Sequence, residues 1–156
     1  MTAFLALVAL GLACWFAALE RALRNGPRSE FGEYLEKTGR EALAVHLERR
    51  ADAVGDVLSL AAHFLQVLFL AVWATAIAGW APSGNSNWAG QLFAAGISAV
   101  PLLWLSNSII EPAIAKWSGG ALLQGCLWVL RFAATIAPVV SWVSAFVNEV
   151  IKRLSG

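Results

Sequence analysis

The sequence predicts an all-α integral membrane protein: three transmembrane helices plus amphipathic juxtamembrane helices on the cytoplasmic side. Three observations predict it. Of the 156 residues, 59% are hydrophobic and only 13% charged, against roughly 25% charged in a soluble domain. No Lys, Arg, Asp or Glu occurs between Asp56 and Glu111, an interval long enough for two crossings of a ~30 Å hydrocarbon core. Seven of the eleven basic residues (Arg21, Arg24, Arg28, Lys37, Arg40, Arg49 and Arg50) fall between the first and second apolar stretches, and the positive-inside rule puts that segment in the cytoplasm.

The first span covers about residues 2–19 and stops at Glu20-Arg21. Positive charge follows its apolar core, which suits a retained anchor with the N-terminus outside. Residues 29–55 read as short amphipathic helices. Asn25-Gly26-Pro27 marks a turn, Glu33/Lys37 and Glu36/Arg40 are favourable i,i+4 pairs, and Thr38 to Glu41 fits a capping box. Leu43, Leu47, Ala51, Val54 and Leu58 form an apolar stripe expected to lie on the inner membrane surface, with His46 a solvated residue at its border. The basic residues here alternate with Glu30, Glu33, Glu36, Glu41, Glu48 and Asp52, which describes a solvated helical face and argues against nucleic acid as a partner.

The second span is expected over about 57–80. Ser59, His63 and Gln66 fall at i, i+4 and i+7 within it, a polar face that should point into the helix bundle because polar groups are expensive in lipid. An outer loop follows at 81–87, with Trp73, Trp80 and Trp88 as an aromatic belt. The third span, about 88–110, contains Pro101, which is expected to bend it. Ser118-Gly119-Gly120 should break the chain again. A fourth crossing would bury Arg131 near mid-bilayer at roughly 2.5–3.5 kcal/mol and would meet Pro138. Residues 119–154 are therefore expected as two helices in the inner interface, Gln124 and Arg131 on one polar face and Ser141, Ser144, Asn148 and Lys152 on the next. Cys14 and Cys126 read as small buried hydrophobes.

Chemistry concentrates at Ser106-Asn107-Ser108-Ile109-Ile110-Glu111-Pro112. In an α-helix Asn107, Ser108 and Glu111 share a face, and Pro112 cannot donate to the Ser108 carbonyl. Hard cations such as Mg²⁺ take oxygen ligands of this kind. Gln66 adds a neutral ligand, while His63 suits softer transition metals; the two lie ~13 and ~9 Å inside the second span. The candidate metal ligands are thus Glu111, Ser108, Asn107, His63 and Gln66. No zinc-protease motif, nucleotide-binding glycine loop or catalytic triad is recognisable, so no enzyme is expected.

Together these landmarks resemble the transmembrane domain of the CNNM/CorC family of magnesium and cobalt efflux proteins, over nearly the whole chain. Phe16-Ala17-Ala18-Leu19-Glu20-Arg21-Ala22-Leu23 stands where the family has Phe-Ser-x-Ser-Glu-x-Ala-Leu, and the stretch around Glu111-Pro112 where it has Gly-Glu-x-x-Pro-Lys. Residues 137–156 match the family's closing membrane-surface helices. The resemblance implies a divalent-cation (Mg²⁺ or Co²⁺) transporter domain spanning 1–156 in a bacterial inner membrane, N-terminus outside and C-terminus cytoplasmic. It also implies a homodimer, or a heterodimer with a related chain, with Mg²⁺ bound or transported near Glu20, His63 and Glu111. Members usually continue into a cystathionine-β-synthase-type nucleotide-binding module, and none is expected within these residues. Ala13 and Ala17 replace the serines of the family's first helix, His63 replaces an Asn, and Glu111 is out of register with the family's Glu. These departures raise a second reading, a transport-silent membrane scaffold or dimerisation domain.

Overall fold

The computed structural model describes residues 1–25, 35, 37, 45, 47, 49–80 and 88–154. Among these there is no strand, and the order is α1 (Thr2–Asn25), α2 (Ala51–Trp80), α3 (Trp88–Leu105), a π-turn (Ser106–Ile110), α4 (Glu111–Gly125) and α5 (Leu127–Leu154). The expected ion pairs of Glu33 and Glu36, the capping box at Thr38, Leu43, His46 and the loop 81–87 lie outside the described residues. Contacts divide the chain into two units, Met1–Ala18 with Leu60–Ile114, and Leu19–Ser59 with Ala115–Gly156.

In the first unit, α1 turns its small residues inward. Ala6, Ala9, Leu10, Ala13, Cys14 and Ala17 are buried, while Phe4, Leu5, Leu7, Val8 and Leu12 are exposed. The inward set recurs every three or four residues, as one helical face requires. Its core partners are Phe69 of α2 and Ala99 of α3, with Val72, Trp73, Leu102 and Leu103 packed around them. Small residues let helix backbones approach closely, and large apolar ones facing out suit a hydrocarbon solvent. Trp73 is half-buried: its indole N–H donates to Ser98 Oγ at 2.9 Å, and Ser98 donates in turn to the Ala95 carbonyl. Trp88 does remain exposed.

The second unit joins the polar end of α1 to the start of α2. Helix α1 runs one turn past the expected stop at Glu20, because Arg24 Nε pairs with Glu20 at 2.8 Å and Arg24 Nη2 with Asp56 at 2.7 Å. Leu47, Ala51, Val54 and Leu58 are buried. The expected stripe is therefore real, but it is covered by protein and does not lie open to the membrane surface.

Two glycines of this unit mark close approaches. A Cβ on Gly55 would stand 2.8 Å from Arg24 Nε, and one on Gly119 would stand 3.3 Å from Ala22 Cβ. Gly55→Ala should gain about 1 kcal/mol of helix propensity but displace the guanidinium. Arg24 is 37% exposed, so its screened pairs are worth at most about 1 kcal/mol. A thermal-unfolding cycle of Gly55→Ala with Arg24→Ala should give a coupling of about 0.5–1 kcal/mol, the alanine stabilising more where the arginine is gone. A coupling near zero would show that the guanidinium is indifferent to that space.

Among the described residues four helical runs, against the expected three, are long and apolar enough to cross a membrane: Thr2–Asn25, Ala51–Gly79, Trp88–Gly125 and Leu127–Leu154. The third continues through Pro112 and Ser118-Gly119-Gly120, neither of which ends it. The π-turn accommodates the proline, and Gly119 provides the approach to Ala22. The chain breaks instead at Cys126, which still donates to the Leu122 carbonyl and accepts from Leu130 N–H.

The fourth run is one helix, not two divided at Pro138. Near that proline the Thr135 and Ser141 hydroxyls bond back to the Arg131 and Pro138 carbonyls at 3.0 and 2.9 Å. Because α5 begins at Leu127, Arg131 lies one turn from its start and not near the middle of the helix.

Candidate functional site

The site belongs to the first unit and is built on the π-turn. Glu111 N–H donates to the Ser106 carbonyl, five residues back instead of four. In an unbroken α-helix residues five apart point about 140° from one another. The wider turn brings Ser106 and Glu111 to one side, where they are 1% and 3% exposed, the two buried polar or charged side chains among the described residues. The same extra residue turns Asn107 and Ser108 outward, so both are exposed. The expected shared face of Asn107, Ser108 and Glu111 is not formed, because that expectation assumed 3.6 residues per turn throughout. π-Turns inside α-helices occur frequently at functional sites.

Opposite Ser106 stands Cys14 of α1, its Sγ 2.7 Å from Ser106 Oγ with either atom able to donate. Glu111 lies within coulombic range of that thiol. Cys14 was expected only as a packing residue; its burial holds, but it shares a polar cluster with Ser106. Neither residue stands out by periodicity. The available signal was Ser106 at five residues before a carboxylate next to a proline. Ala13 and Ala17 are buried on the same helix and supply no oxygen.

On α2 the polar stripe lies beside the buried one. Val54, Leu58, Ala62, Phe69 and Ala76 are buried, Ser59 and Gln66 are half-buried, and His63 is exposed. The expectation that this face points into the bundle fails for His63: Ala62, one residue and about 100° round the helix, takes the buried position. Gln66 Nε2 donates to Asn107 Oδ1 at 3.0 Å, a bond that ties α2 to the π-turn.

The five expected ligands therefore separate: Glu111 inside with Ser106 and Cys14, Gln66 joined to Asn107, and His63 and Ser108 at the surface. Among the described residues no group of three or more His, Cys, Asp or Glu is placed to hold a metal ion. The buried set of one carboxylate, one hydroxyl and one thiol fits Mg²⁺ incompletely, since a hard cation prefers oxygen throughout and thiolate suits softer metals.

Fold and cluster together define a class: an all-helical protein of membrane character by composition, with a buried carboxylate at a π-turn. No protein-family model, curated protein or solved structure matches the chain.

Proposed function

We propose that this chain is the membrane domain of a divalent-cation transporter similar to the CNNM/CorC family, working as a dimer in a bacterial inner membrane. The observation that carries this reading is Glu111, a carboxylate 3% exposed at a break in helical register between apolar helices. A carboxylate removed from water must be neutralised by a proton or balanced by a cation. Ionisable groups placed so mark ion pathways more often than packing. Vesicles containing the full chain should take up Mg²⁺, Co²⁺ or Zn²⁺ faster than protein-free vesicles; equal rates for all three would overturn the reading.

In this reading α1, α2 and the uncharged part of the α3 run cross the bilayer, with the N-terminus outside. Only 17% of the most apolar window is buried inside the protein in both α2 and the α3–α4 run, which leaves most of their surface for lipid. The second half of α5 is assigned to the inner interface. All of residues 141–154 are exposed, yet they are two-sided, with Val143, Phe146, Val147 and Val150 on one side and Ser141, Ser144, Asn148 and Lys152 on the other. A helix surrounded by lipid should be apolar all round, whereas a two-faced one lies in the interface plane. Cysteines at 141, 144 and 148 should all react with an impermeant thiol reagent, and those at 143 and 147 should not. Reactivity that fades with position along the helix, whatever the face, would indicate a fourth crossing.

A second reading, a transport-silent scaffold, is favoured by buried Ala13 and Ala17 and by the separation of the five expected ligands. It predicts dimerisation without cation uptake.

A further inference from the structure

One member of the buried cluster is not an oxygen ligand. Cys14 Sγ lies 2.7 Å from Ser106 Oγ and within coulombic range of Glu111, and the three residues are 6%, 1% and 3% exposed. Thiol, hydroxyl and carboxylate are thus brought together from α1 and the π-turn in a place largely closed to solvent.

We propose that Cys14 is a direct ligand in this site and sets the class of its cargo: borderline divalent ions such as Zn²⁺ and Co²⁺, in preference to Mg²⁺. The proposal rests on the transporter reading above and names the ions that the same site takes. Charge is the first reason. A thiol that coordinates a metal is deprotonated, its proton leaving to solvent as the ion enters, so one thiolate and one carboxylate together balance two positive charges. Charge left over in a buried site is costly. Mg²⁺ takes oxygen and not sulfur, so it would meet the Glu111 carboxylate with one positive charge uncompensated. A soft monovalent ion would leave a negative charge instead.

Geometry agrees. Zn–S and Zn–O bonds of about 2.3 and 2.1 Å at a tetrahedral angle set their donor atoms ~3.6 Å apart. An ion taking the place of the hydrogen shared by Cys14 and Ser106, now 2.7 Å apart, therefore needs to part them by only about 1 Å. Among the described residues no group of three or more His, Cys, Asp or Glu gathers, so this donor set falls short of a closed structural site. A transported ion requires that openness, since it must leave as well as enter. The preference for softer metals expected of His63 passes to Cys14, because His63 is exposed and Cys14 stands in the buried cluster.

The test uses the full chain. On addition of Co²⁺, a sulfur-to-cobalt charge-transfer absorption should appear in the parent chain and in Cys126→Ser, and be lost in Cys14→Ser. In vesicles the parent should take up Zn²⁺ faster than Mg²⁺. That ratio should fall at least about tenfold in Cys14→Ser, since even groups outside the ligand shell commonly cost 10–100-fold. Serine offers a hard oxygen, so the uptake that persists should turn toward Mg²⁺. Helical circular dichroism identifies a Cys14→Ser chain that fails to fold, and Cys14→Ala, with a small apolar group at the buried position, then carries the same comparison. In Cys126→Ser the one remaining thiol is Cys14, so absorption there assigns the ligand with Cys14 itself unaltered. Three outcomes overturn the proposal: faster uptake of Mg²⁺ than of Zn²⁺ by the parent chain, an unchanged ratio in Cys14→Ser, and no sulfur-to-cobalt absorption at saturating Co²⁺. Absence of uptake for every cation would overturn the transporter reading instead, and the cobalt spectrum alone would then decide whether Cys14 holds the ion.

Discussion

Glu111→Gln is expected to cut cation uptake by vesicles on the order of 100-fold while leaving the chain folded. Glutamine keeps the size and hydrogen-bonding capacity of the side chain and removes the charge, and cations bind the ionised form. Even partners outside the ligand shell commonly cost 10–100-fold in metal affinity or activity, so loss of the sole buried carboxylate among the described residues should reach the upper end. Stability should move the other way. A buried charge carries a desolvation cost, and a neutral replacement of the same shape is often neutral or stabilising. A merely structural glutamate would reverse the pattern, with unfolding brought to lower temperature and residual uptake unchanged. If the unmodified chain shows no uptake and Glu111→Gln only raises its unfolding temperature, the scaffold reading holds.

The first three apolar helices were legible because each signal behind them is long. An uncharged interval from Asp56 to Glu111 survives errors of several residues at either end, and α1, α2 and α3 lie where it and the first apolar run place them. What composition could not deliver was register. One extra residue in the turn Ser106–Ile110 exchanges which side chains face inward, and nothing in Ser-Asn-Ser-Ile-Ile announces it. From sequence alone Pro112, Gly119 and Pro138 signal breaks, because each is unfavourable in an isolated helix. In the structure the first follows a π-turn, the second makes room for Ala22, and the third lies inside one continuous helix. His63 shows the remaining gap. A polar residue on an apolar helix suggests an inward face, but the spacing of Ser59, His63 and Gln66 does not reveal that Ala62 takes the buried position beside it.

Phe69→Ala should be the most destabilising single truncation in the first unit, costing about 3–5 kcal/mol, against a change near zero for Phe64→Ala. The two rings stand five residues apart on α2 with equal intrinsic hydrophobicity, but Phe69 is 0% and Phe64 68% exposed. In lipid the distinction sharpens. Phe64 exchanges one apolar surround for another on unfolding, so little of the water-driven hydrophobic term is at stake, and what remains for Phe69 is packing. That packing is only partly recoverable by its neighbours, because Ala6, Ala9, Cys14 and Ala99 of the core are short, leaving Leu10 and the partly buried Val72, Leu102 and Leu103 to close the space. Methyl and thiol groups on rigid helices cannot reach into the vacated volume. Trp73, stacked on Phe69 at 5.8 Å between ring centroids, is held in place by its bond to Ser98. Since Cys14 belongs both to this core and to the pair with Ser106, the void adjoins the candidate site. Phe69→Ala should therefore lower cation uptake as well as the unfolding midpoint in mixed micelles, whereas Phe69→Leu should restore most of both. Equal destabilisation by Phe64→Ala and Phe69→Ala would show that burial in this unit does not set its stability.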